Sequence, residues 1–149
     1  MNKEVCVRVP YHFHGITVLV PQQRENEMVV IDMGSFLPRN LQTRMDNFTL
    51  IRHIANIALF RKADFENRKI EPLKTFDPPI EIRVAYNVYD VMESKCDIQQ
   101  LKLAFWDGSQ WVILSDASHE YYILPPSTGQ IAEAKIWSWT GDPPLAWGK

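Results

Sequence analysis

An antiparallel β-sandwich of about ten strands with one or two short helices is the fold this sequence predicts, and three observations predict it. The apolar residues gather in short segments rich in Val, Ile and aromatics, the residue types that fit a pleated, half-buried surface. Glycines, an Asp-Gly and the pairs Pro78-Pro79, Pro125-Pro126 and Pro143-Pro144 punctuate those segments. A proline pair cannot continue a helix or a central strand, so each pair is read as a boundary. Strands do not alternate with helical patterns, which excludes a parallel βαβ sheet from the reading. The length, 149 residues, fits one domain over 1–149.

Val5, Val7 and Val9 alternate with Cys6 and Arg8 in a first strand. Ile16–Val20 and Met28–Met33 are near-continuous apolar runs, the signature of strands buried on both faces or in a sandwich core. The polar Gln22–Glu27 joins them, and residues 34–47 form a long connection with room for a helical turn. Residues 48–62 fit two descriptions. Leu50, Ile54, Ile57 and Phe60 share a helical face, whereas FTLIRHI and IALFRKA read as two strands broken at Ala55-Asn56. The surrounding β pattern and the turn residue Asn56 favour the two strands.

Ile80, Ile82, Val84 and Tyr86 share one face of the next strand. Asn87 caps a short helix, Val88–Glu93, with Asp90 in its first turn, where a negative charge favours the helix dipole. Leu101, Leu103 and Phe105 alternate, Asp107-Gly108 turns the chain, and Trp111–Leu114 runs back, a strong local hairpin signal. His119–Leu124 and Ile131–Trp139 complete the strands, joined through Gly129.

The segments TFDPPIEIRVAYNVYDV, CDIQQLKLAFWDGSQWVIL and IWSWTGDPPLAWG together resemble the β-sandwich domain of ankyrins, netrin receptors and tight-junction scaffolds, especially its bacterial relatives. The matching positions are Pro79, Tyr86, Asp90, Asp97, Leu101, Leu103, Trp106, Asp107, Gly108 and Trp111, within residues 57–148. The resemblance implies a module that binds other proteins or packs into an assembly, with structural motifs only. Some members of that wider group cleave themselves at a His-Phe-Ser near the final strand. Here Trp137-Ser138-Trp139 stands at that place with no His beside the Ser, and His12-Phe13-His14 is followed by Gly15, so self-cleavage is not expected.

Composition narrows the function classes. Sixteen Lys and Arg against eighteen Asp and Glu, without a basic block, offer no nucleic-acid footprint. No apolar run reaches the 18 residues of a membrane span. The first ten residues, MNKEVCVRVP, lack a signal-peptide core, which makes the cytoplasm the default expectation. Cys6 and Cys96 are too few for a disulfide framework; small buried or half-buried thiols are expected, and a single pairing stays open. His12 and His14, two apart on a strand, are weak candidates for a shared metal, with Glu4 or His53 as a third ligand. Asp116, Ser118 and His119 lie too close in sequence to converge as a triad and read as a polar turn. No phosphate loop, nucleophile elbow or dinucleotide fingerprint occurs, so no enzyme and no cofactor is expected.

All five tryptophans lie in the last 44 residues. Trp106 and Trp111 face each other across the Asp-Gly hairpin and read as packing residues. Trp137 and Trp139, at i and i+2, project from one face of a strand; with Trp147 and Tyr122 they are the candidate partner- or glycan-binding residues. The expected function is a non-catalytic interaction or structural module that binds a protein or itself as a homo-oligomer. A carbohydrate-binding module using the exposed tryptophans is the alternative.

Overall fold

The computed structural model describes residues 8–13, 15–21, 27–32, 37–63, 71–116, 121–125, 127, 129–139 and 143–149; at 8–13, 28, 31, 32 and 116 it describes the backbone only. These residues build two antiparallel sheets. The first has the order β1 (Arg8–Phe13), β2 (Ile16–Pro21), β6 (Thr75–Ala85), β10 (Ile131–Ser138), β9 (Tyr121–Ile123). The second has the order β3 (Glu27–Asp32), β5 (Phe48–Arg61), β11 (Pro144–Gly148), β7 (Lys102–Trp106), β8 (Trp111–Ile113), with the two-residue β4 (Arg44–Met45) also paired to β5. One α-helix, α1 (Val88–Glu93), and the 3-10 turns Ile98–Gln100 and Leu114–Asp116 complete the described elements. The all-β sandwich expectation holds.

Period-2 alternation builds the core. Ile16, Val18 and Val20 of β2, Ile80, Ile82 and Val84 of β6, and Ala132, Ala134 and Ile136 of β10 all point inward from the first sheet. They meet Ile57, Leu59, Leu103, Phe105, Leu145 and Trp147 of the second. Each large apolar side chain so buried stabilises the fold by about 1.5–3 kcal/mol. Aromatics close the ends: Trp139 stands edge-on to Phe76, with centroids 5.7 Å apart, and Tyr86 stands edge-on to Trp147 at 6.1 Å.

A second cluster lies on the back of the second sheet. Phe48, Ala104, Trp106, Trp111, Ile113 and Ala146 pack there beneath Leu41, Met45 and Leu50. The connection over residues 37–47 therefore serves as a cover, and this described part of it contains a two-residue strand and not the helical turn it has room for. It is tied down by the Trp111 Nε1–H, which donates to the Gln42 carbonyl at 2.6 Å, and by Asn40 Nδ2, which donates to the Gly108 carbonyl at 2.6 Å. The Trp106–Trp111 pair is edge-on at 5.5 Å across the hairpin, as the sequence predicts, and buried in this layer.

Two expectations need correction. Residues 48–61 form neither a helix nor two strands but one continuous strand, bulged against β11 where Leu145 pairs with Ala55 and Ala146 with His53. A bulge adds the residue that periodicity reads as a break. Pro78-Pro79 do not bound β6 but lie inside it. The β6–β10 register jumps there, from Ile136 opposite Ile80 to Ser138 opposite Thr75, and the β2 pairing covers only Glu81–Val84. The prolines thus fall where neither neighbour needs a ladder N–H. Val5, Val7, Cys6, most of the Gln22–Glu27 turn and His119 lie outside the described residues.

Candidate functional site

The first-sheet strand β6 hands the chain to α1 at one end of the sandwich. Asn87, in extended conformation, starts the helix: its side chain accepts from the Asp90 N–H at 2.9 Å, while its own N–H donates to Asp90 Oδ2 at 2.9 Å. This reciprocal cap satisfies two donors that a helix start leaves open. The helix stops where Lys95 and Cys96 take left-handed φ values of 59° and 63°, and the Cys96 N–H closes the end on the Val91 carbonyl at 2.9 Å.

The side chains of this helix are arranged inside out. Asp90 has no exposed surface, and its carboxylate takes the guanidinium of Arg52 from β5: Nε donates to Oδ1 at 2.8 Å and Nη2 to Oδ2 at 2.8 Å. Two parallel charge-assisted bonds, plus the Asn87 N–H, satisfy the buried carboxylate and fix the rotation of the helix about its axis. That rotation carries Val88, Tyr89 and Met92 outward, with 67%, 54% and 65% of their surface exposed. Met92 lies one turn from both Val88 (i, i+4) and Tyr89 (i, i+3), so the three form one apolar knuckle. Val91 packs against the core. Below the helix, Trp147 Nε1 donates to the Ala85 carbonyl at 3.0 Å, and the Tyr86 hydroxyl donates to the Leu124 carbonyl at 2.6 Å. Beside its C-terminal end runs a groove of about 570 Å³, lined by Glu93, Lys95, Asp97 and Lys149 among others. Lys149 Nζ lies 3.4 Å from Glu93 there.

No family model, no curated protein and no solved structure matches this chain.

Of the residues singled out from sequence, Trp137 and Tyr122 lie on the surface and Trp139 and Trp147 do not. Trp137 is 45% exposed on the outer face of β10. The register jump after Ile136 turns Trp139 the other way, into contact with Phe76 and with Phe105, so the expected two-ring platform is not formed. Trp147 is fully buried because β11 is an inner strand of the second sheet, with its indole facing Tyr86. Both are packing residues. Tyr122 stands out from β9, and its hydroxyl donates to Glu133 Oε1 at 2.6 Å. That hydrogen bond to a carboxylate raises its pKa above the ordinary tyrosine value, with burial adding to it. Tyr121, one residue back, faces inward, as the alternation requires.

Backbone pairing sets His12 opposite Thr17; its side chain and the whole of His14 lie outside the description. His53 Nε2 is 2.7 Å from Asn56 Oδ1 in a local pair on β5. Among the described residues no three His, Cys, Asp or Glu side chains converge as a metal site. Cys96 is a free, exposed thiol and not the buried one expected. Among the described residues no helix is long and apolar enough to cross a membrane.

The knuckle was missed by sequence reasoning although the helix was not. The cap at Asn87 sets where α1 starts, but its rotation depends on Arg52, 38 residues earlier in the chain. One signal was available: in VYDVME the charged Asp90 sits between apolar neighbours on both sides.

Proposed function

We propose that this chain is a non-catalytic interaction module, and that it meets a protein partner through the exposed apolar knuckle of α1. The observation that carries this reading is the inversion of the helix: the carboxylate of Asp90 is fully buried while Val88, Tyr89 and Met92 are more than half exposed. Burying a charge and exposing three large apolar groups is the reverse of what stability alone selects. A contiguous exposed apolar patch with a polar surround is the ordinary form of a docking surface, and aromatic residues with Met are enriched in such interfaces. The reciprocal cap and the Arg52 fork hold the knuckle rigid, which lowers the entropy lost on binding. The resemblance of residues 57–148 to protein-binding sandwich domains supports the same reading.

The test compares the wild-type chain with the triple variant Val88→Ser, Tyr89→Ser, Met92→Ser in affinity capture from its own cells. A specific protein should be retained by the wild type and lost by the variant, while both unfold at the same temperature. Equal capture by both, or a large fall in the variant's Tm, would show that the knuckle serves the fold and not a partner.

A further inference from the structure

Among the described residues four strands stand at the outer ends of the two sheets, and they differ in how those edges are guarded. β1 carries Pro10 in its middle, β3 has Glu27 and Asp32 at its ends, and β8 passes at once into a 3-10 turn. These are the usual obstacles to edge pairing. β9, with the sequence Tyr121-Tyr122-Ile123, carries neither charge nor proline, and a groove of about 400 Å³ separates it from Ile98, Leu101 and Lys102. Its polarity is readable from one bond. The Leu124 N–H donates to the Ile131 carbonyl at 2.8 Å, so Leu124 and Ile131 form a hydrogen-bonded pair of the antiparallel ladder. Alternation then makes Tyr122–Glu133 the next such pair and turns the backbone N–H and C=O of Tyr121 and Ile123 away from the sheet.

We infer that β9 pairs antiparallel with β9 of a second copy of this chain, about a two-fold axis through Tyr122. The edge is self-complementary in that register. Tyr121 of one copy lies opposite Ile123 of the other, and both present outward backbone groups, so the two pairs exchange four hydrogen bonds. The two Tyr122 side chains meet on the outer face as a cross-strand aromatic pair, a favourable contact in sheets. The two five-stranded sheets become one ten-stranded sheet. Three residues per copy bury little surface, so the dimer is weak and concentration-dependent. This surface is separate from the knuckle, and either can fail without the other.

Sedimentation equilibrium over about 1–500 µM should show the weight-average mass rising towards twice the monomer mass, a range chosen for a small interface. Tyr122→Lys should weaken the dimer at least tenfold with unchanged far-UV circular dichroism, because it faces two ammonium groups across the axis. In a Cys6→Ser, Cys96→Ser background, Tyr122→Cys should give a covalent dimer on oxidation, since Cα atoms of a non-hydrogen-bonded pair are about 4.5 Å apart, within disulfide reach. Tyr89→Cys in the same background is the control and should cross-link at least tenfold more slowly. A strictly monomeric wild type at the top concentration, a dimer indifferent to Tyr122→Lys, or equal cross-linking at positions 89 and 122 would each overturn the inference.

Discussion

Arg52 and Asp90 stand 38 residues apart in sequence and meet in a two-pronged ion pair, Nε to Oδ1 and Nη2 to Oδ2, both at 2.8 Å. One partner belongs to a strand of the second sheet and the other to the helix that follows the first. The pair therefore joins the two layers at one end of the sandwich. It also decides which side of α1 meets water.

The two halves of this pair are not equivalent, and the difference is measurable. Asp90 has no exposure, whereas the Arg52 side chain keeps 30% of its surface in solvent. Arg52→Ala leaves a buried carboxylate with only the Asn87 N–H and should cost about 3–5 kcal/mol, the range for breaking a buried pair. Asp90→Asn leaves a cation that can turn to water and should cost less. Urea unfolding of the two variants checks the order, and a smaller loss for Arg52→Ala would show that the pair does not carry the helix.

Gly148 of β11 lies tight against Phe48 and Thr49 of the neighbouring strand β5. A Cβ there would collide with the Phe48 ring and lie 2.6 Å from the Thr49 carbonyl oxygen. Phe48 is a buried member of the cluster behind the second sheet, so it cannot move without opening that cluster. Gly148→Ala should destabilise the chain by about 1–3 kcal/mol through overpacking. Pairing it with Phe48→Leu should recover part of the loss in the same denaturant experiment, because the smaller side chain lacks the ring atoms that clash.

What sequence could and could not show follows from the range of the forces involved. The Asn87 cap, the Asp107-Gly108 turn and the alternation of Ile80, Ile82 and Val84 are local, and the structure places all three as expected. At Gly108 the backbone takes φ +105°, a value that an L side chain rarely adopts. The bulges in β5 and at the β6–β10 pairing are not local. β5 gains one extra residue against β11 at Leu145–Ala146 and another at Trp147–Gly148, and between Ile136 and Ser138 of β10 the pairing passes from Ile80 to Thr75, which leaves three extra residues on β6. At that register jump Trp137 faces outward and Trp139 turns to Phe76. The exposed knuckle was hidden for a related reason, since a distant arginine sets the rotation of a six-residue helix.

Tryptophan fluorescence reads out that separation. Trp106, Trp111, Trp139 and Trp147 are buried and Trp137 is not. Acrylamide should quench a minor, red-shifted component only, and Trp137→Phe should remove that component with little change in stability, as expected of a surface substitution. A second quenchable tryptophan in Trp137→Phe would contradict the packing of Trp139 against Phe76.

Tyr121 gives the chain a vulnerability to alkali. Burial, with the nearby Tyr86 adding to it, raises its pKa well above that of a free tyrosine. A raised folded-state value means that the neutral hydroxyl is the form the fold accepts. Its contribution is present in full below the unfolded value of about 10 and is lost as the pH climbs past it. Burial raises Tyr86 as well, and ionising it also removes the donor to the Leu124 carbonyl, so the two act in the same direction. Tyr121→Phe should therefore shrink the fall in stability between pH 7 and about pH 11 without abolishing it. At pH 7 the same variant should be at least as stable as the wild type, because the Tyr121 hydroxyl is buried with no hydrogen-bond partner among the described residues. Urea midpoints at the two pH values test both statements, and a variant weaker than wild type at pH 7 would mean that the hydroxyl is bonded after all.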